Sequence, residues 1–442
     1  MSIIQASIPL FFLLIFVELG YARVRRKPLL RLNDSVSDLS LGILSQLSGV
    51  FIKLFTIGIY IVVESRWAVQ RWTGLPGWED GSPVTFAGGV AVHWTALASW
   101  VVVFLLVDLA YYWSHRLSHV VHILWAGHVV HHSSEEYNLT VALRQSSLHG
   151  LFTWVFYIPL ALAGVPWRMY VACYALNLVY QFWIHTRAVD RMGRVAELVL
   201  NTPSHHRVHH GVNPRYQDRN YAGVFIIWDR LFGTFEPEAE EPVYGITTPL
   251  ASWNPIWANV HVFVTIARDA WRTEHWRDKL RVIFGHPGWK PADLGQSVTP
   301  KPVSPSTFLK FDPDIPRGVA AYALAQFVVV LLASVKLLEA SAELPMHQTG
   351  AAAFYIAVSL TNIGGVFERS RWAYSLEVAR LTTLLVIAAA LAILTSAPLV
   401  VTVLLAAFAL ASLVWLRALR HHLTVSFAAY GPGGMAAAPH AH

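Results

Sequence analysis

Stretches of apolar residues as long as a bilayer is thick constrain this chain more than anything else in it. A helix crosses the hydrocarbon layer with about 20 such residues. Candidate spans lie at 3–22, 40–63, 95–114, 148–165, 168–185, 318–339, 351–367, 376–394 and 397–417. The expected fold is therefore all-α and integral to the membrane, with about nine transmembrane helices. Spans 148–165 and 168–185 are short and separated only by Gly164-Val165-Pro166-Trp167, so a hairpin that barely crosses is expected there. Only 14% of the 442 residues are charged, against roughly 25% in soluble proteins. No positive segment precedes the first span and no clear small-residue cleavage site precedes Arg23, so this span reads as an anchor and not as a cleaved signal.

Charge sets the expected orientation. The net charge is +6, but the basic residues flank apolar segments instead of forming a stripe. That is the positive-inside pattern, and it argues against nucleic acid as a partner. Arg23-Val-Arg25-Arg26-Lys27 follows the first span and is expected on the cytoplasmic side. Counting forward puts the ends at His115, His185, Arg369-Ser-Arg371 and Arg417-Ala-Leu-Arg420 on that side too. The single cysteine, Cys173, excludes an internal disulfide framework and a thiolate metal site.

Twelve of the 21 histidines fall between His115 and His210. They form three boxes: His115-Arg-Leu-Ser-His119, His128-Val-Val-His131-His132 and Ser204-His205-His206-Arg-Val-His209-His210, with His185 alone between the second and third. Positions i, i+3 and i+4 of a helix share a face. His115 with His119, the three histidines of the second box, and His206, His209 and His210 can therefore each converge, while His205 points about 100° away. His122 would continue the first face one turn on, and His149 reads as polar filler. Thr202-Pro203 marks a helix start for the third box. So many imidazoles exceed what one tetrahedral zinc uses and suit two ions with open positions. Imidazole serves zinc, copper, iron and nickel alike; iron is preferred on chemical grounds, since a redox ion beside a membrane suits attack on lipid C–H bonds with O2. Ligand rings need acceptors for their outer N–H groups, and Asp108, Asn201, Asp218 and Asp229 are the polar candidates; His205 has two readings, a metal ligand or a structural and supporting residue.

Several segments, in this order, resemble the fatty acid hydroxylase and sterol desaturase superfamily, and within it the alkylglycerol monooxygenase (glyceryl-ether monooxygenase) branch. They are Tyr111-Tyr-Trp-Ser-His-Arg-Leu-Ser-His119, Trp125-Ala-Gly-His-Val-Val-His-His-Ser-Ser-Glu-Glu-Tyr-Asn138, Ala142-Leu-Arg-Gln-Ser146, Gln181-Phe-Trp-Ile-His-Thr186 and Asn201-Thr-Pro-Ser-His-His-Arg-Val-His-His-Gly211. The likeness is dense over 108–250 and continues through Asn220 to Glu236 and Pro287-Gly-Trp289. It implies a cytoplasm-facing, histidine-rich di-iron cap. It also implies a ligand set of His115, His119, His128, His131, His132, His185, His206, His209 and His210; His205, Asp108 and Asn201 are placed in support of them by the reading of the residues above. The implied reaction hydroxylates the carbon beside the ether oxygen of an alkylglycerol and releases a fatty aldehyde, with reduced pterin (tetrahydrobiopterin) as electron donor. Val120 stands where that branch has an acidic residue after the first box, so another reductant, such as a redox protein, stays open.

The expected organisation is an N-terminal transmembrane region (1–94), a catalytic core with the boxes (95–250), a cytoplasmic segment and linker (251–316), a C-terminal transmembrane bundle (317–425) and a disordered tail (426–442). The expected partners are O2, a membrane lipid, the bilayer and the electron donor. The expected location is the inner membrane of a bacterium or the endoplasmic reticulum of a eukaryote. The alternatives are a sterol, carotenoid or fatty acyl hydroxylase or desaturase with the same site, a metal transporter or sensor, and a zinc hydrolase. Transporters place ionisable groups on broken helices at the bilayer midplane, whereas these boxes lie past span ends. A hydrolase would need a general-base glutamate within a box, and Glu135 and Glu136 only follow the second.

Overall fold

The computed structural model describes residues 3–74, 77–78, 94–295, 303–395 and 398–424; the tail expected over 426–442 lies outside them. Among the described residues every regular element is a helix, and the β-type pairings are isolated bridges, Leu200 with Phe225 and Gly211 with Tyr244. The chain divides into two compact units, Met1–Leu250 with Trp257–Lys310, and Ala251–Ile256 with Phe311–His442.

The first unit opens with α1 (Ile3–Val24), α2 (Leu32–Trp67) and the short α3 (Gln70–Thr73), followed by α4 (Trp94–Val120). α2 has 36 residues, about 54 Å of helix against about 30 Å of hydrocarbon. Its first turns carry buried Asn33, Asp34, Ser37, Asp38 and Ser40, so that end belongs to the polar cap and not to lipid. The stretch 148–165 is broken into α6 (Gly150–Thr153), a 3-10 turn (Trp154–Tyr157) and α7 (Ile158–Leu162), and α8 (Trp167–Trp183) returns from it. Gly164 makes the turn at φ +70°, where a Cβ would collide with the Gln70 side chain. Gln70 and Tyr60 hold the turn by donating to Ala163 O (2.6 Å) and Val165 O (2.9 Å). Tyr60, Val103, Val107, Leu160, Met169 and Cys173 pack α2, α4 and this hairpin into one core.

The cap is built from α5 (His122–His132), α9 (Arg194–Val199), α10 (Pro203–His209) and α11 (Ile227–Leu231). The sequence from Tyr221 to Phe232 has the mixed aromatic and charged composition of an interfacial segment; in the structure Ile227 and Leu231 are exposed while the first half is mostly buried. Tyr221, Ala222, Val224, Ile226 and Asp229 are buried, and Asp108 and Asp229 hold the backbone of Tyr221, Ala222 and Val224. Two further helices, α12 (Pro255–Arg272) and α13 (Trp276–Phe284), lie within the expected cytoplasmic segment, ahead of its Pro- and Gly-rich end. Ile266 and Val282 pack against Ala126 of α5, while Trp271 is 88% exposed and Trp276 65%, a surface suited to the lipid headgroup layer.

The second unit consists mainly of α14 (Arg317–Ala340), α15 (Met346–Phe367), α16 (Ala373–Leu394) and α17 (Leu399–Thr424). Each packs on the next and α14 packs on α17, which closes a four-helix bundle. Among the described residues, seven helices are long and apolar enough to cross a membrane: α1, α2, α4 and these four. The remaining two expected spans are the short hairpin. Inside the bundle, Arg380 pairs with Glu377 at 2.6 Å. Tyr322 and Asn362 donate to the same carboxylate, Arg380 donates to Gln326, and Gln326 to Ser412. All four helices thus meet on one satisfied ion pair, the arrangement that makes a buried charge tolerable in lipid.

Candidate metal centre

Local structure explains how the boxes converge. α4 carries His115 and His119 on its last turns and ends at Val120; Val121 is extended (φ −113°) and begins α5. This break takes His122 off the α4 face. Its ring bonds to Val282 O at 2.9 Å, away from the other imidazoles. In α10, Thr202 caps the N-terminus, Pro203 stands in the first turn, and His205 closes a capping box. His205 Nδ1 accepts from the Thr202 N–H and its Nε2 lies 2.9 Å from a Glu197 oxygen. His205 therefore holds the start of α10 and turns its neighbours inward.

Nine imidazoles gather in two adjoining groups. One contains His115, His119, His128, His132 and His209, the other His131, His185, His206 and His210, with the ligating atoms within each group no more than 4.8 Å apart. Within the first group His128 Nε2 lies 3.0 Å from His115 Nε2 and 3.1 Å from His132 Nε2. Within the second, His185 Nε2 lies 3.2 Å from His131 Nε2 and 3.0 Å from His206 Nε2. Two nitrogens sharing one ion at about 2.0–2.1 Å are about 2.9–3.4 Å apart for angles between octahedral and tetrahedral, so these spacings fit. The groups touch through His132 and His210, stacked at 4.4 Å.

The outer nitrogens face backbone. His115 Nδ1 donates to Tyr221 O (2.8 Å), His131 Nδ1 to Arg144 O (3.0 Å), His185 Nδ1 to Gln181 O (2.7 Å) and His209 Nδ1 to Arg219 O (3.0 Å). A carbonyl can only accept, so these four rings carry their proton on Nδ1 and offer a bare Nε2. The Nε2 atoms of His119, His209 and His210 are buried with no hydrogen-bond partner, which in the absence of a cation costs about 1–3 kcal/mol each. Burial, aided by repulsion between neighbouring rings, pushes His128, His131, His132, His206 and His210 well below the ordinary histidine value. Burial takes His209 down to about 4. Neutral rings with converging bare nitrogens form a metal site.

Asp108 and Asn201 do not touch a ring; they act one step further out. Asp108 accepts from the backbone of Val224 (2.8 Å) and Phe225 (3.0 Å), from Trp228 Nε1 and from Asn177. Asn201 donates to Ala222 O at 2.6 Å. Asp229 accepts the N–H groups of Tyr221 and Ala222, both at 2.8 Å. Together they shape the loop that presents Tyr221 O to His115. Gly223 lets the loop come that close, since a Cβ there would lie 2.7 Å from oxygens of Asp108 and Asn177. Asp218, the remaining polar candidate, lies 3.8 Å from His119 Nδ1. Asp218 and Asn220 are left-handed (φ +57° and +56°), a conformation Asn and Asp tolerate better than most residues, and they flank the carbonyl of Arg219.

Sequence reasoning missed several supports. Arg144 is fully buried, pairs with Asp38 of α2 at 3.0 Å, and also donates to Val130 O and Ser133. Asp34 of α2 accepts from Ser134 at 2.7 Å. The signal was two acids one helical turn apart at the head of an apolar span. Glu18 of α1 accepts from Leu139 N (2.8 Å) and from Thr186 Oγ1, beside His185. His149, read as filler, lies with its ring 5.1 Å from that of His128.

A helical membrane scaffold with two adjoining imidazole groups at the polar end of its spans defines a polyhistidine membrane metalloenzyme. A sequence model of the family described as fatty acid hydroxylase matches residues 100–234, the stretch that holds all nine rings. The chain is 39% identical to human (Homo sapiens) alkylglycerol monooxygenase over 385 residues, covering 85% of this chain and 80% of that one. It is 38% identical to the Xenopus tropicalis alkylglycerol monooxygenase, covering 84% and 78%. It is also 30% identical to an ornithine lipid hydroxylase of Rhizobium tropici, over 33% of this chain and 45% of that one. No solved structure matches. The chain belongs to the alkylglycerol monooxygenase family. It is an integral membrane oxidoreductase, a monooxygenase of the lipid-hydroxylating kind, with a histidine metal site.

Proposed function

We propose that the protein hydroxylates the carbon next to the ether oxygen of an alkylglycerol, using O2 and two iron ions held by the nine clustered histidines. The observation that carries this reading is the pairing of five- and four-imidazole groups in a chain 38–39% identical to alkylglycerol monooxygenases over most of its length. In the overall reaction the ether carbon gains a hydroxyl group and the second oxygen atom leaves as water. Two electrons and two protons are consumed. The hemiacetal then collapses to a fatty aldehyde and glycerol.

The bound iron supplies the redox chemistry that activates O2 against a C–H bond. The chain's own residues hold the site for it. His115, His131, His185 and His209 are fixed in one tautomer by backbone carbonyls. His205, Asp108 and Asn201 set the backbone around them. The electron donor is a reduced pterin or another reductant, and Val120, an apolar residue directly behind the first box, leaves both in play.

The cytoplasmic side is proposed for the site. The basic link from α1 to α2 packs against the loop after the second box: Arg31 pairs with Glu136 at 2.7 Å and Asn138 donates to Leu29 O at 3.0 Å. The positive-inside rule places such a link in the cytoplasm, in the inner membrane if the source is bacterial.

The match to an ornithine lipid hydroxylase supports a second reading, hydroxylation of another lipid by the same centre. Parallel incubations with an alkylglycerol and an ornithine lipid separate the two. The proposal expects a fatty aldehyde from the first and no change in the second; a hydroxylated ornithine lipid with an intact ether would reverse it.

A further inference from the structure

Behind the four-histidine group lies a cavity of about 830 Å³, walled in part by Arg25, Ala188, Arg191, Arg207, Glu241 and Tyr244. Sites for cofactor-sized molecules are roughly 300–1,000 Å³. Arg207 sits in α10 between His206 and Val208, so one short helix turns imidazoles to the metal site and a guanidinium to the cavity. Glu238 anchors that guanidinium with two contacts of 2.7 Å.

A pair of aromatic rings joins the cavity to the histidines. Tyr244, in the cavity wall, stacks on Tyr137 at 4.8 Å with an interplanar angle of 14°. Tyr137 is fully buried. Its ring lies 5.3 Å from that of His210 and 5.8 Å, nearly parallel, from that of His185. Its hydroxyl donates to Ile184 O at 3.0 Å, which fixes it beside His185. Two rings, Tyr244 and Tyr137, thus lie in line between the cavity wall and the imidazoles of His185 and His210. The wall carries guanidinium and carboxylate groups together, which suits a polar molecule that both donates and accepts hydrogen bonds and does not suit a lipid chain.

We infer that this cavity binds the reductant, a polar organic donor of cofactor size, and that Tyr244 and Tyr137 carry its electrons to the His185 and His210 side of the centre. This rests on the monooxygenase reading proposed above. Placing one oxygen atom of O2 in a C–H bond and the other in water takes two electrons and two protons. The donor loses those two electrons one at a time and releases two protons to water, from which the centre takes the two it consumes; the electrons tunnel through the stacked rings, which are neither oxidised nor reduced. Tunnelling falls steeply with distance, and rings in contact shorten the jumps.

The test uses the full-length protein in detergent and two polar probes, tetrahydrobiopterin and reduced flavin mononucleotide. Ala188→Trp fills the cavity, and Tyr244→Leu and Tyr137→Leu interrupt the path. At least one probe is expected to bind metal-depleted wild-type protein in equilibrium dialysis and to bind Ala188→Trp at least tenfold more weakly. In iron-loaded protein without O2, both leucine variants are expected to slow reduction of the centre by that probe at least tenfold, followed by absorbance. Iron content should remain at the wild-type level. Equal binding to wild type and Ala188→Trp, binding of neither probe, or unchanged reduction rates in both leucine variants would overturn the inference. A wild-type protein that holds no iron, or whose iron dithionite fails to reduce, would instead remove the reading beneath it.

Discussion

The Nδ1–H of His115 donates to the carbonyl of Tyr221 across 2.8 Å, joining the end of a transmembrane helix to a loop 106 residues later in the chain. That loop is held in turn by Asp229, Asp108 and Asn201, so carboxylates remote from the metal site decide how one of its rings is aimed. Asp229→Ala frees the N–H groups of Tyr221 and Ala222. Loss of an outer partner of this kind costs about 10–100-fold in metal affinity or activity. Titration with a competing chelator is expected to show a loss in that range for Asp229→Ala, and wild-type affinity there would contradict the role given to the loop.

Removing a ring should do more than removing its support. His131→Ala or His209→Ala deletes a donor from the centre of a group. Either variant is expected to lose iron, as measured by elemental analysis of purified protein, and to lose turnover. Full activity in one of them would take that residue out of the ligand set.

Metal-free protein should become less stable as pH falls. Burial holds His209 neutral down to about 4, whereas an unfolded histidine titrates near 6.5. Between those values the unfolded chain binds more protons than the folded one, so stability is full above about 6.5 and declines as the solution is acidified toward 4. For His209 alone the full span is worth roughly 3 kcal/mol, and the other lowered rings act in the same direction. Thermal unfolding of the chelator-treated protein in detergent is expected to show a midpoint that drops between pH 7 and pH 5. A flat midpoint would mean that the rings are charged or exposed without metal.

The Arg144–Asp38 pair tests the frame behind His131. Arg144→Met leaves Asp38 buried and uncompensated, a change that costs about 3–5 kcal/mol. The double variant Arg144→Met with Asp38→Asn is expected to recover much of the stability while still binding metal more weakly, because Arg144 also braces Val130 and Ser133 beside the second box. The pair Glu377–Arg380 offers the same cycle in the C-terminal bundle. Glu377→Ala should destabilise it by a similar amount, and Glu377→Met with Arg380→Met should reverse most of the loss. Unfolding in denaturant measures both cycles, and single variants as stable as wild type would contradict them.

The histidines were legible because metal ligation fixes both residue type and spacing: His206, His209 and His210 share a face whatever surrounds them. The apolar runs were legible for the same kind of reason, since bilayer thickness sets their length. What surrounds the centre was not legible. Tyr221 and Arg219 contribute backbone carbonyls, which any residue has, so no side-chain signal marks them. Asp34 and Asp38 sit at the head of a span whose hydropathy averages them away, and α2 proved long enough to carry them into the cap. Tyr221 to Phe232 has the composition of an interfacial segment, and only the contacts of Asp108 and Asp229 show that its first half is held in the cap. His205 kept two readings in sequence, and its capping contacts with Thr202 and Glu197 decide for the structural one.

The most direct test of the central claim follows oxygen. Iron-loaded protein would be supplied with a 1-O-alkylglycerol, a reduced donor and ¹⁸O₂, and the aldehyde trapped at once by reduction to the alcohol. Hydroxylation beside the ether oxygen predicts free glycerol and a fatty alcohol carrying one ¹⁸O atom by mass spectrometry. An intact ether with the label elsewhere on the chain, or an aldehyde without label, would contradict it.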